Sequence, residues 1–169
     1  MLPLINNMMS CCFKTSNFTH AKSLLRLIDQ FPEFKRDAKI SDRVTYSYYH
    51  GRRSFFDGDL KSAATELTFA FDHCLATSTR NKRLFLIYLV PLKLLSGQVP
   101  SEELLMKYNL PQYVQITRAV KQGNIKLLNE AINNEKLTFI QWGVFLVLER
   151  LRSVTYRTLF KKVFAHDTK

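Results

Sequence analysis

Glycine and proline are scarce in this sequence, each occurring five times in 169 residues. They are the residues that most often interrupt helices, so the chain contains long segments without a helix breaker. Within these segments apolar residues recur at steps of three and four, as at Leu60, Ala63, Ala64 and Leu67. This spacing is typical of a helix with one buried face, whereas a half-buried strand alternates apolar and polar residues. The sequence therefore predicts an all-α fold.

Cysteine is also rare. The three cysteines, Cys11, Cys12 and Cys74, are odd in number and form no CxxC pair. Such a set cannot make a complete disulfide framework, which favours a reducing compartment such as the cytosol or nucleus. His73 adjoins Cys74, but neighbouring helical residues point about 100° apart and no second ligand pair is near in sequence. We therefore predict no metal site.

No apolar run reaches the length of about 20 residues that a membrane-spanning helix needs. The two most apolar segments cover residues 84–95 and 139–151, and Pro91, Lys93 and Glu149 interrupt them. We interpret both segments as buried core helices and predict no membrane contact.

Short motifs that mark common catalytic sites are missing as well. The sequence has no GxSxG nucleophile turn, no GxxxxGK[ST] phosphate loop and no HExxH zinc motif. Its four histidines, His20, His50, His73 and His166, are scattered along the chain. We predict neither an enzyme nor a cofactor, and we assign no catalytic residue.

Basic residues, in contrast, are abundant. Lysine and arginine number 25 against 14 acidic residues, which gives a net charge of +11 and an isoelectric point near 9.7. Such a balance favours a polyanionic partner, either nucleic acid or an acidic protein segment. Charge alone does not choose between them, and many basic helical proteins bind neither.

The C-terminal cations are the first candidate nucleic-acid contact. Arg157 and Lys161 lie four residues apart, on one face of a predicted basic helix at about residues 156–164, and Lys162 follows. Phosphate contacts through such a face would give affinity without reading base sequence. The alternative is a basic face that is only solvated.

Two further cationic pairs are candidates. Lys82 and Arg83 stand where a buried helix is predicted to begin, although a helix N-terminus disfavours positive charge. A phosphate or an acidic partner would explain them, and solvated side chains in a loop are the alternative. Arg52 and Arg53 adjoin Tyr48, Tyr49 and Phe55, a mixture that could stack bases and hold a backbone. Because these aromatic residues have core spacing, packing inside a helical pair is the other interpretation.

Three tight turns share a pattern that suggests stacked helical hairpins. Asn17-Phe18, Gly58-Asp59 and Gly123-Asn124 each join two predicted helices. Turns of this kind join the helices of repeat proteins, in which stacked pairs bury a continuous core. The unequal spacing argues against a regular tetratricopeptide array.

The same pattern predicts the individual connections. We expect Asp59 to cap a helix, residues 33–39 to form a polar connection, and a buried helix to begin near residue 84. We also expect one continuous helix over residues 137–151.

Short groups of residues spread over nearly the whole chain carry a family resemblance. They are Val44-Thr45-Tyr46, Tyr49, Gly51-Arg52, Phe55-Phe56, Phe69-Ala70-Phe71, His73-Cys74, Asn81-Lys82-Arg83, Ile87-Tyr88-Leu89, Pro91, Leu104-Leu105, Lys107-Tyr108, Thr117-Arg118-Ala119-Val120, Gly123-Asn124, Thr155-Tyr156-Arg157 and Leu159-Phe160-Lys161-Lys162-Val163. In this order they resemble the PCI-domain-containing protein 2 family. Together these groups are fairly specific, although no single one is.

The resemblance implies a scaffold subunit of the transcription and export complex 2. Its expected partners are a large PCI scaffold subunit, a small acidic disordered protein and the backbone of RNA or DNA. The implied location is the nucleus, including the nuclear pore, with some protein in the cytoplasm. Other PCI assemblies, namely the proteasome lid, the COP9 signalosome or a translation-initiation complex, are the runner-up. A helical-repeat adaptor that binds a peptide is a further alternative.

The resemblance also implies an architecture. Residues 1–78 would form TPR-like helical hairpins in a right-handed superhelix, and residues 79–169 the helical portion of a PCI domain. Residues 155–163 resemble the first helix of the family's winged helix, whose remaining part we expect to be largely missing. Dimerisation and nucleic-acid binding through a complete winged helix are therefore not expected of this chain alone.

Overall fold

The computed structural model describes residues 1–15 and 18–167, and it contains helices and no strand within those ranges. The predicted all-α fold is confirmed. The chain divides into two compact units, Met1–Phe85 (unit 1) and Leu86–Lys169 (unit 2). This division falls inside a helix, a few residues after the predicted boundary at residues 78–79. The assignment of the two parts to helical hairpins and a PCI portion stays a prediction.

Unit 1 contains five complete helices among the residues that the structure describes. They are α1 (Leu2–Lys14), α2 (Phe18–Gln30), α3 (Glu33–Arg36), α4 (Ile40–Asp57) and α5 (Leu60–His73). The next helix, α6 (Thr79–Leu95), begins in unit 1 and continues into unit 2.

Two of the predicted connections in unit 1 need correction or qualification. The polar connection expected over residues 33–39 contains the short helix α3. The predicted turn at Asn17-Phe18 lies partly outside the described residues.

The tightest hairpin of unit 1 pairs α4 with α5. Gly58 ends α4 in the left-handed region with φ +83°, and the Asp59 carboxylate accepts a hydrogen bond from the Ser62 backbone N–H at 3.1 Å. The predicted cap at Asp59 is therefore confirmed. Gly51 lets the two helices approach closely, because a Cβ there would lie 2.7 Å from Cγ of Leu67. Local turn chemistry and a small residue thus set this hairpin.

An ionic contact joins α3 to the α4–α5 hairpin. The Glu66 carboxylate lies 3.1 Å from Nζ of Lys35 and 3.4 Å from Nδ1 of His50. Partial burial opposes ionisation of Glu66, but the contacts with His50 and Lys35 outweigh it and lower its pKa to about 2. This carboxylate is therefore charged throughout the physiological range.

Unit 2 holds six further helices among the described residues. They are α7 (Glu102–Lys107), α8 (Gln112–Gln122), α9 (Ile125–Asn134), α10 (Lys136–Trp142), α11 (Phe145–Glu149) and α12 (Leu151–Asp167). Tyr113 is fully buried at the centre, where its hydroxyl donates a 2.7 Å hydrogen bond to the Ile87 carbonyl and its ring stacks on Phe139.

Three predicted helix boundaries are wrong. The continuous helix expected over residues 137–151 is broken at Gly143, whose φ of +74° ends α10 before α11 begins. The basic helix expected from Tyr156 begins earlier, at Leu151. The helix expected from residue 84 likewise begins at Thr79, so its first turn includes the polar segment that was expected to precede it.

Candidate functional site

A basic groove lies between the last turn of α8, the turn after α6, and α12. Its volume is about 480 Å³, and it is lined by Gly97, Val99, Val120, Lys121, Val154, Arg157, Thr158 and Lys161. Arg157 and Lys161, predicted to share one helical face, both line this groove. Lys121 lines it too, from α8, and all three residues are exposed. The basic groove thus brings together cations from two helices.

Two glycines shape the backbone around the basic groove. Gly97 ends α6 with φ +83°, and a Cβ there would lie 3.5 Å from the Arg157 guanidinium. Gly123 ends α8 with φ +74°, and a Cβ there would lie 2.8 Å from the backbone nitrogen of Leu159. Only glycine combines this backbone conformation with so close an approach. Gly123 therefore fixes where α12 passes the end of α8.

The charges of the groove have few acidic counterparts. Within the described part of the chain, neither Arg157 nor Lys161 has a carboxylate at salt-bridge distance. Glu102, an acidic residue whose pKa the charge of Lys121 helps to lower, accepts two hydrogen bonds from Arg118 at 2.7 and 2.6 Å. These bonds to Arg118, more than the charge of Lys121, lower the pKa of Glu102. The positive charge of the groove is thus largely uncompensated.

Lys162 lies beside the basic groove but does not line it. Its Nζ donates a 3.3 Å hydrogen bond to the carbonyl of Gln122, at the end of α8. This carbonyl belongs to the negative end of the helix dipole, which favours a cation there.

The side of α12 that faces away from its buried residues carries an apolar face, defined by Tyr156, Phe160, Val163 and Phe164. These residues are spaced as one face of a helix, and Phe160 and Phe164 are 62% and 74% exposed. The buried side of the same helix, with Leu151, Val154 and Thr155, packs into unit 2. Neighbouring exposed apolar side chains of this kind often mark a surface where a protein binds a partner.

The chain is similar in sequence to several known proteins. The chain is 46% identical over 164 residues to PCI domain-containing protein 2 of Xenopus laevis, a match that covers 97% of the chain. The protein of the same name from Danio rerio is 47% identical, also over 97% of the chain. The resemblance to the PCI domain-containing protein 2 family is therefore confirmed over nearly the whole chain. No family model matches the chain.

The chain spans about two fifths of the PCI domain-containing protein 2 sequences that it matches, 41% in both cases. A Neurospora crassa protein named Protein CSN12 homolog is 30% identical over 168 residues, which cover 95% of the chain and 37% of that protein. Activities of the whole relatives therefore come to this chain only as proposals.

Lys82 occupies a different place from the one its sequence position suggested. Because α6 begins at Thr79, Lys82 lies within the helix, and its side chain is 9% exposed. Its Nζ donates a 3.0 Å hydrogen bond to the carbonyl of Phe71 and lies 4.5 Å from the centre of the Phe71 ring. The alternative of a solvated loop is therefore wrong for Lys82. The Lys82 ammonium lies near the C-terminus of α5, which is the negative end of the helix dipole. The neighbouring Arg83 is half-buried.

Arg52 and Arg53 lie on α4 and make contacts inside unit 1. The Arg52 guanidinium lies 4.7 Å from the centre of the Phe13 ring and 5.8 Å from that of Phe56. Arg53 forms a 2.6 Å ion pair with Asp57, four residues later on the same helix. Nucleic-acid contact by this pair stays a prediction, and these contacts give both guanidinium groups a structural role.

The part of the chain that the structure describes contains neither a membrane-spanning helix nor a metal-binding cluster. None of its helices there is both long and apolar enough to cross a membrane. Over the same residues, no group of three or more histidine, cysteine or acidic side chains is placed to hold a metal ion.

Sequence reasoning missed Lys121 as a member of the basic groove. The signal that could have found it is its position in the last turn of a helix, directly before the Gly123-Asn124 turn. That signal is weak without the packing of α8 against α12, which the sequence pattern does not reveal.

Proposed function

We propose that this chain acts as a scaffold, rather than as an enzyme, in a nuclear messenger-RNA export complex, the transcription and export complex 2. The observation that carries the proposal is the match to PCI domain-containing protein 2 over 97% of the chain. PCI proteins are generally subunits of complexes without catalytic activity of their own. The helical hairpins, such as α4–α5 and α8–α9, are consistent with a scaffold.

The proposed protein partners are a large PCI scaffold subunit and a small acidic disordered protein. The apolar face of α12 is the surface that supports protein contact, because exposed aromatic side chains are enriched where proteins bind one another. The net charge of +11 supports contact with an acidic protein and with nucleic acid. The proposed location is the nucleus, including the nuclear pore, with some protein in the cytoplasm.

The second part of the proposal is sequence-independent contact with the backbone of RNA or DNA. The support is the cluster of exposed cations on α12 and at the end of α8, which includes Arg157 and Lys161. Contacts of this kind supply affinity that falls with rising salt and does not depend on base sequence.

A second candidate function is membership of a different PCI assembly. The observation that favours it is the Neurospora crassa relative named Protein CSN12 homolog, although its identity of 30% is lower. This candidate needs the same scaffold fold but different protein partners.

Parallel affinity purification would separate these candidates. The tagged chain would be co-expressed with the large and small subunits of the export complex, or with PCI subunits of the proteasome lid or the COP9 signalosome. We expect retention of the export subunits alone, through a wash at moderate salt. Retention of only a different set would replace the export proposal, and retention of none by a folded chain would overturn the scaffold role.

A further inference from the structure

We infer that the basic groove binds the sugar-phosphate backbone of a nucleic-acid strand, and that Lys121 is a binding residue there together with Arg157 and Lys161. This inference rests on the proposed nucleic-acid contact and deepens it by assigning the contact to one place. It differs from a basic helix acting alone, because one of its three cations comes from α8.

The first argument is convergence of uncompensated charge. Lys121 approaches from α8 while Arg157 and Lys161 approach from α12, and the groove lining contains no carboxylate among the described residues. The carboxylate of Glu102, an acidic residue that interacts electrostatically with Lys121, accepts two hydrogen bonds from Arg118. Three like charges around one groove repel one another, and an anion between them would relieve that repulsion.

The second argument is the shape and polarity of the groove. Val120 and Val154 are buried and form an apolar floor, and Val99 lies at its edge. The Arg157 guanidinium lies close to Gly97, at 3.5 Å from where a Cβ of that residue would be. An apolar floor lowers the local dielectric constant and strengthens the attraction between the cations and a phosphate. It also gives the sugar an apolar surface to contact.

The third argument is the linear arrangement of the cations. Arg157 and Lys161 are four residues apart on α12, which is about 6 Å along a helix axis. This distance is comparable with the separation of neighbouring phosphates along a strand. Lys162 follows at the edge of the groove. A row of cations fits a polyanion better than it fits a single small anion. Arginine and lysine are both common phosphate-binding residues.

The test is the salt dependence of binding to a fluorescently labelled oligouridylate, measured by anisotropy with the full chain. Each phosphate contact on a single strand contributes about 0.7 to the slope of log affinity against log salt concentration. Lys121→Ala and Lys161→Ala should each reduce the magnitude of that slope by about 0.7. A tenfold decrease in salt concentration should therefore raise the affinity of Lys121→Ala about fivefold less than it raises that of the unsubstituted chain.

Lys126→Ala is the matched control, because Lys126 is an exposed lysine on α9 outside the groove lining. It removes the same charge and should leave the slope within error of the unsubstituted chain. If Lys121→Ala behaves like Lys126→Ala while Lys161→Ala weakens binding, the groove assignment is overturned and α12 alone carries the contact.

Two further outcomes separate this inference from the proposed function. An unsubstituted chain that binds no oligouridylate at low salt would overturn both the groove and the proposed nucleic-acid contact, but not a scaffold role shown by co-purification. Competition by polyglutamate as strong as that by unlabelled oligouridylate would assign the groove to an acidic protein segment instead. Preferential competition by the oligonucleotide is the result that we expect.

Discussion

At Gly123 the backbone φ is +74°, and a Cβ would lie 2.8 Å from the backbone nitrogen of Leu159. Gly123→Ala should therefore combine the cost of a left-handed backbone with a backbone collision, about 2–4 kcal/mol of unfolding free energy. Gly97→Ala is the control in the same unit, because φ is +83° there but the nearest contact is the flexible end of Arg157. It should cost about 1–2 kcal/mol in urea denaturation. Equal losses would show that α12 does not depend on Gly123.

Glu66 makes the stability of unit 1 dependent on pH. Its pKa is about 2 in the folded chain, below the ordinary value of 4.5, so folding favours the charged form. That contribution is complete above about pH 4.5 and is lost as the pH falls toward 2. Glu66→Gln should lower the unfolding free energy by up to about 3 kcal/mol at neutral pH, and the difference should shrink in acid.

Urea denaturation of both proteins at pH 7 and pH 3, followed by circular dichroism, would measure this difference. Glu103→Gln, which changes an exposed carboxylate on α7, is the control and should have little effect. A difference between the Glu66 variant and the unsubstituted chain that grows in acid would contradict the proposed role of the ionic contact.

At the scale of helices, α12 presents two surfaces that serve different parts of the proposal. The apolar face should hold a protein partner, so Phe160→Ser should reduce retention of the large PCI subunit at least tenfold, as loss of a buried aromatic anchor does. Leu146→Ser is the control, because Leu146 is an exposed apolar residue on α11 that is not part of the apolar face. Circular dichroism would check that both variants keep their helices. Equal retention by both variants would remove the apolar face from the partner interface.

Some helices and turns follow from the sequence because their causes are local. The cap at Asp59 and the turn at Gly123-Asn124 depend on residues within one or two turns of each other, and the structure has both. The break at Gly143 was missed because an apolar run around it has helical spacing on both sides. An isolated glycine inside such a run does not reveal a positive φ.

The parts of the candidate site that depend on packing could not be predicted. The partner of Lys82 is a backbone carbonyl eleven residues earlier, at the end of α5, and no sequence motif encodes that pairing. Lys121 lies 36 positions before Arg157, so the packing of α8 against α12 is what brings both to the basic groove. Spacing along one helix found Arg157 and Lys161, and tertiary contact added the third cation.

At the scale of the whole chain, the central claim is that this protein is a scaffold that binds other subunits. Light scattering after size-exclusion chromatography of the chain mixed with the purified large PCI and small acidic subunits tests it most directly. We expect one peak whose mass is the sum of the three proteins and which contains all of them. A separate peak for the chain at its own mass of 19.8 kDa, with the other two proteins eluting without it, would contradict the claim.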